Sequence, residues 1–324
     1  MTIFSTFLNL LPVGFMQGFI YALIAIAVMI PFRLLNFADM TAEGTLAFGA
    51  CVTAKCLVVG MAPVLALFVG ALAGFLGGSL TAYIHEKVKI NTLLCGILVL
   101  SILYSIDIRV MGQPNTALFN FPNIFAYLPG DDSSLTMRIV LLAIIDCMLV
   151  GLIVWFLDTQ HGMAMRAIGS SLPMAKAQGI NVKVYTVVGL GLANLIAALG
   201  GGLLAQNQGF ADVNMGFGTL INGLASLLLG EAVIGNRTML RQVTAPVLGS
   251  VVYFQLISLV LAFGFRPSDL KMITALFVLV TLLVLARRKA TNGGSNIPKS
   301  TATPERQKWA KLSFMRTRAP KQSR

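Results

Sequence analysis

Charge is the scarcest property of this sequence. Asp, Glu, Lys and Arg make up 11% of its 324 residues, and none occurs before Arg33. A soluble domain carries about 25%, so the composition excludes an ordinary soluble fold. Histidine is scarcer still: His85 and His161 lie far apart in polar connections, which leaves no metal set. The four cysteines, Cys51, Cys56, Cys95 and Cys147, sit in apolar runs without metal-like or redox-like spacing, and read as buried packing. No G-x-x-x-x-G-K-[ST] phosphate cradle occurs, so no cofactor is expected and any ATP must be bound by another polypeptide. No Ser-His-Asp, Cys-His or metal constellation supports an enzyme. With no basic residue at its start, the first apolar run reads as a retained helix rather than a cleaved signal.

What is abundant is apolar. Hydrophobic residues make up 56% of the chain and mean hydropathy is +0.82. The apolar runs are continuous rather than alternating, which favours membrane-spanning helices over barrel strands. Nine segments are expected, over roughly 8–32, 44–60, 62–84, 91–111, 137–157, 186–206, 217–235, 244–265 and 270–286. The fold class is therefore an all-α polytopic membrane protein, a bundle of about 8–9 transmembrane helices over residues 1–286. A basic tail, 287–324, follows and reads as disordered. It holds eleven basic residues and one acid, Glu305, and so supplies +10 of the net +12. Lys and Arg mark cytoplasmic connections. The tail, 236–243, 158–185 and 85–90 then fall inside, and 112–136 with Asp131 and Asp132 falls outside. The tail's simplest role is to enforce that orientation, with anionic lipid as a second possibility. No nucleic-acid partner is expected.

Small residues recur at every fourth position in Ala66, Gly70, Gly74, Gly78, in Gly189, Ala193, Ala197, Gly201, and in Gly14, Gly18, Ala22. Each series lies on one helix face and lets two backbones approach closely. Ionisable residues inside apolar runs are costly and mark function or buried pairing. Asp107, Arg109, Asp146 and Glu231 are of this kind. Two stretches put an acid among small residues beside an apolar run: "RLLNFADMTAEGTLAFGA" at 33–50 and "LLLGEAVIGN" at 227–236. Both read as helix breaks lining a protein cavity, with Asn36, Asp39, Glu43 and Glu231 as candidates for a translocation path. A plain turn with Asp39 or Thr41 as an N-cap is the competing reading.

The connection "DTQHGMAMRAIGSSLPMAKAQGINVKVY" at 158–185 is basic and long. Pro173 suits a helix start and Gly179 a helix stop, so two short helices are expected. They could dock on a soluble partner or lie on the membrane surface.

The run "YALIAIAVMIPFRLLNFADMTAEGTLAFGACVTA", then "GMAMRAIGSSLPMAKAQGINV", then "LANLIAALGGGLLA", resembles the permease subunits of ABC importers of the branched-chain amino acid type. The stretch "VKINTLLCGILVLSILYSIDIRVMGQPN" is similar to a subgroup linked to aromatic amino acid uptake. The resemblance covers about 18–286 and leaves the long basic tail unexplained. It implies an ABC ATPase subunit docking on the inner side of the bacterial cytoplasmic membrane. It also implies a periplasmic or lipid-anchored solute-binding protein outside and a second permease chain, as a homodimer. Residues 162–179 resemble the segment that couples to the ATPase, with Gly162, Arg166, Gly169, Ala175 and Gly179 matching its pattern. The expected function is a permease subunit of an ATP-driven importer for amino acids or related small solutes, working by alternating access. A secondary transporter coupling Asp107, Asp146 or Glu231 to protons or ions is the alternative, and a membrane enzyme or assembly protein is a third reading.

Overall fold

The computed structural model describes residues 3–127, 135–235, 238–265, 269, 272–276, 279–280 and 283. Most of the apolar segment 270–286, Asp131, Asp132, Arg237 and the basic tail lie outside the described residues. The helices are α1 (Ile3–Met29), α2 (Thr41–Val58), α3 (Pro63–Val88), α4 (Thr92–Met111), α5 (Leu135–Asp158), α6 (Gln160–Ser170), α7 (Leu172–Ala177), α8 (Val182–Gln208), α9 (Thr219–Ile234) and α10 (Met239–Ala262). A π-helical segment, Ile30–Leu35, continues α1. Two short strands, β1 (Asn115–Ala117) and β2 (Phe210–Asp212), pair antiparallel.

Six helices among the described residues are long and apolar enough to cross a bilayer: Phe4–Leu35, Pro63–Val88, Thr92–Met111, Leu135–Asp158, Val182–Gln208 and Met239–Ala262. The protein is thus an all-α, multi-pass membrane protein. The helices α2 and α9 differ in kind. They are shorter, with 18 and 16 residues, and α2 is rich in Gly, Ala and Thr. Its surroundings are protein rather than lipid: most of its residues are buried.

Close backbone approach at the small-residue stripes builds the centre. A Cβ on Gly74 would strike Ala198 and the Asn194 carbonyl, one on Gly78 the Leu190 carbonyl, and one on Gly49 the Ala198 backbone. Gly201 lies against the Leu46 carbonyl. These contacts set α3 antiparallel to α8 and α2 parallel to it. Lipid supplies no hydrophobic drive between helices, so such tight contacts and buried hydrogen bonds hold the bundle. Gly14 and Gly18 bring α10 onto α1, and Ser250 donates to the Gly18 carbonyl at 2.7 Å. Outward-facing Phe68, Leu76, Leu98, Ile144 and Met148 are exposed, the surface a bilayer would cover.

The two ends of the bundle are built differently. One end carries the β1–β2 pair and a small apolar cluster of Leu57, Met111, Leu118 and Val213. The other carries α6 and α7 over a cluster of Leu35, Phe37, Ala82, Met165, Ile168 and Ala175.

Candidate functional site

Pro31 explains where the first span widens. Proline has no N–H and its ring crowds the carbonyl four residues back, and a π-turn relieves that crowding. The Asn36 and Phe37 N–H groups both reach back to the Pro31 carbonyl, the latter at 2.9 Å. Asn36 is left-handed, with φ 50°, a conformation asparagine tolerates better than most residues. The chain then turns through residues 36–40 and restarts as α2 inside the bundle.

That restart is held by a buried polar network. Asp39 Oδ1 accepts from the Thr41 N–H at 2.8 Å, and its Oδ2 accepts from Asn194 Nδ2 at 2.8 Å. Asn194 sits near the middle of α8 and also donates to the Leu190 carbonyl at 2.9 Å. Its Oδ1 accepts from Thr45 Oγ1 at 2.6 Å. Thr41 and Thr81 share a hydroxyl hydrogen bond of 2.9 Å. Asp39, Thr41, Thr45, Thr81 and Asn194 are all buried. Asp39 is therefore a fully engaged cap on a helix that begins half-way along its neighbour, while Asn36 is exposed in an open recess with His85, Lys89, Lys176 and Lys183.

A second helix begins inside the bundle in the same way. After β2 the chain re-enters through residues 213–218, and α9 starts at Thr219. Glu43 Oε1 accepts from the Gly218 and Leu220 N–H groups at 3.1 and 3.2 Å, so a carboxylate on α2 caps the positive end of α9. The two interruptions are tied together: one acid restarts α2, and an acid on α2 restarts α9.

Glu231 is placed differently from the expectation. The helix α9 runs unbroken past it and ends at Gly235. The interruption in the second half falls before α9, not at Glu231. Gly230 looked like part of a break, but its hydrogen faces the Ala245 carbonyl of α10, so it serves helix contact. Glu231 pairs with Arg33. Arg33 Nε donates to Oε1 at 2.7 Å and Nη2 donates to Oε2, a bidentate pair joining the π segment to the end of α9. Arg33 is a charge that the sequence reading did not single out as a candidate. Its place in the π segment follows from Pro31, but its partner lies 198 residues away.

The 160–179 region forms the two expected helices. Pro173 lies in the first turn of α7, and Gly179 has φ 77°, which a Cβ would strain. Gly169 packs on the Leu34 carbonyl and Leu35 nitrogen, and Gly162 on the Leu157 backbone. Arg166 Nη2 donates to the Leu157 carbonyl at 2.9 Å, in the last turn of α5, where a cation is favoured. Ala175 is buried. Gly162, Arg166, Gly169 and Ala175 therefore face inward and seat α6–α7 on the π segment and α5, while Gly179 is exposed. The outward face is one the sequence pattern did not single out: Met163, Leu172 and Met174 are 52%, 45% and 62% exposed. In the sequence they are flanked by Gly, Ala, Ser and Pro, which does not set them apart.

Among the described residues no group of three His, Cys, Asp or Glu could hold a metal ion. The family described as "Branched-chain amino acid transport system / permease component" matches residues 11–285. The tyrosine transport system permease protein of Clostridioides difficile (strain R20291) is 37% identical over 266 residues, covering 82% of this chain and 88% of the relative. An uncharacterised protein of Rickettsia prowazekii (strain Madrid E) is 29% identical, covering 86% and 99%. The galactofuranose transporter permease protein of Escherichia coli (strain K12) is 25% identical, covering 77% and 72%. No solved structure matches the chain. The family match spans nearly every element described above, including both interrupted helices and α6–α7, and the chain belongs to the branched-chain amino acid transport system permease family, as a membrane-spanning permease subunit of an ABC importer.

Proposed function

We propose that this permease, paired with a second copy of itself, forms the solute path of an ATP-driven importer for aromatic amino acids in the bacterial cytoplasmic membrane. The α6–α7 element faces the cytoplasm and receives the ABC ATPase. A periplasmic or lipid-anchored binding protein delivers solute at the β1–β2 end. The basic tail is cytoplasmic and sets orientation. The substrate class rests on the tyrosine transport relative and its coverage of both chains.

The observation that carries the reading is the seating of α6–α7. The inner face is fixed to the π segment through Gly169 and to α5 through Arg166, while Met163, Leu172 and Met174 are presented outward. A flat surface helix would not be anchored to a helix break in this way. Force applied at α6 reaches Leu34 directly. From there it passes to Asn36 and the Asp39-capped start of α2, and through Arg33 to Glu231 on α9. Asp39 and Glu43 act by positioning the two helix starts that reorient in alternating access. Glu231 keeps α9 in register with α1, and Asn36 absorbs the backbone change.

The test is co-purification from membranes with the ATPase subunit co-expressed. The wild-type chain is expected to retain the ATPase, and Met174→Glu to release it while remaining folded. A chain that purifies alone and moves solute into vesicles without ATP would overturn the importer reading in favour of a secondary transporter.

A further inference from the structure

Two buried carboxylates, Asp107 and Asp146, each have an oxygen without a hydrogen-bond partner among the described residues. Asp39, Glu43 and Glu231 each accept hydrogen bonds that account for their place in the bundle. Asp107, on the last turns of α4, does not fit that pattern. It is 1% exposed, and its Oδ1 has no hydrogen-bond partner among the described residues. Asp146 on α5 also has an unpartnered oxygen, but it does not line the same space. Burying a carboxylate without partners is costly, and such groups in membrane proteins mark substrate or ion sites.

Asp107 lines a narrow recess between α2, α4 and residues 213–217 whose volume, about 10 Å³, admits roughly one water- or ammonium-sized group. Glu43 also lines it, as do Tyr104 and Phe217, and no basic side chain does. Tyr104 and Phe217 are 37% and 50% exposed. The α2 and α4 helices run parallel, since Gly96 meets Met40 and Gly44 meets Leu100. Asp107 therefore lies further than Glu43 from the α6 end, toward the face where solute would arrive. The charge of Glu43 is offset by the amino-terminal N–H groups of α9. No basic side chain lining the recess offsets that of Asp107.

We propose that Asp107 receives the ammonium group of an aromatic amino acid, with Tyr104 and Phe217 against its ring at the mouth. The acidic lining directs the substrate carboxylate outward. An ammonium beside a desolvated carboxylate makes a charge-assisted hydrogen bond, and aromatic rings packed at the mouth add to it. The inference rests on the importer reading for substrate class, but its test does not depend on ATP.

The test is thermal unfolding of the purified full-length chain in detergent with three probes. These are L-tyrosine, tyramine, which lacks the carboxylate, and 3-(4-hydroxyphenyl)propionate, which lacks the ammonium. L-tyrosine and tyramine are expected to raise Tm by a few degrees at about ten times Kd, and the propionate to leave it unchanged. Asp107→Asn is expected to abolish both shifts while its ligand-free Tm stays at or above that of wild type. Equal stabilisation by the propionate, no shift with any probe at millimolar concentration, or shifts retained in Asp107→Asn would each overturn the site. The wild-type comparison of probes decides the matter even if the variant does not fold. Loss of the ATPase in co-purification would sink the importer reading and leave this result untouched.

Discussion

Asn194 shows what one side chain can hold in a bundle of small residues. It lies in an apolar run, "GLANLIAALGG", and is fully buried. Through it α8 meets the Asp39 cap and the Thr45 hydroxyl, and its Cβ and Nδ2 stand where a Cβ on Gly78 would go. Asn194→Leu removes the Asp39 Oδ2 donor and leaves the Thr45 hydroxyl only the Thr41 and Ala42 carbonyls. A buried charged acceptor left short costs about 2–3 kcal/mol, somewhat less if the membrane-inserted unfolded chain finds other partners. The expected result is a clear drop in thermal stability in detergent. Replacing both partners by apolar groups is less harmful than removing one, so Asn194→Leu with Asp39→Leu should regain part of the loss. A double variant worse than the sum of its parts would mean that the network is not the unit described.

At the scale of elements, α6–α7 is an inward clamp with an exposed apolar outer face. Gly169 is the point of the clamp, since any side chain there meets the Leu34 carbonyl. Gly169→Val imposes an overpacking cost of about 1–3 kcal/mol, which is roughly 5- to 160-fold in the equilibrium for seating α6. Uptake is expected to fall accordingly, while the ATPase still co-purifies because the Met174 face is unaltered. That is the reverse of the Met174→Glu signature, and loss of the ATPase from Gly169→Val would mean that the two faces do not act separately. The sequence announced these elements unevenly. Long apolar helices such as α5 and α8 were plain, because lipid demands such runs. The pair of short helices at 160–177 was legible from Pro173 and Gly179. The π segment was not, because it depends on how the chain relieves Pro31 within a packed helix. Glu43 was read as a translocation-path candidate and not as a cap, since its partners are backbone groups 175 and 177 residues on.

At the scale of the molecule, the question is how one end speaks to both interrupted helices. The start of α2 is reached along the chain, through Leu34 and Asn36. The end of α9 is reached through space, by Arg33 and Glu231. If that pair transmits motion, its geometry matters more than its contribution to stability. Arg33 is 35% exposed by side chain, so the pair contributes no more than about 1 kcal/mol. Arg33→Glu places two acids together, and Glu231→Arg two bases. Each single variant is expected to fold and to hydrolyse ATP in the assembled transporter, but to move less solute per ATP. The double exchange, Arg33→Glu with Glu231→Arg, restores opposite charge and should recover much of that ratio. It should not recover all of it, because the arginine fork would then approach from α9 rather than from the π segment. The measurement is a double-mutant cycle on solute moved per ATP hydrolysed. Losses that simply add in the double variant would show that Arg33 and Glu231 act apart, and that motion at α6 reaches α9 only through the packing of α1 against it.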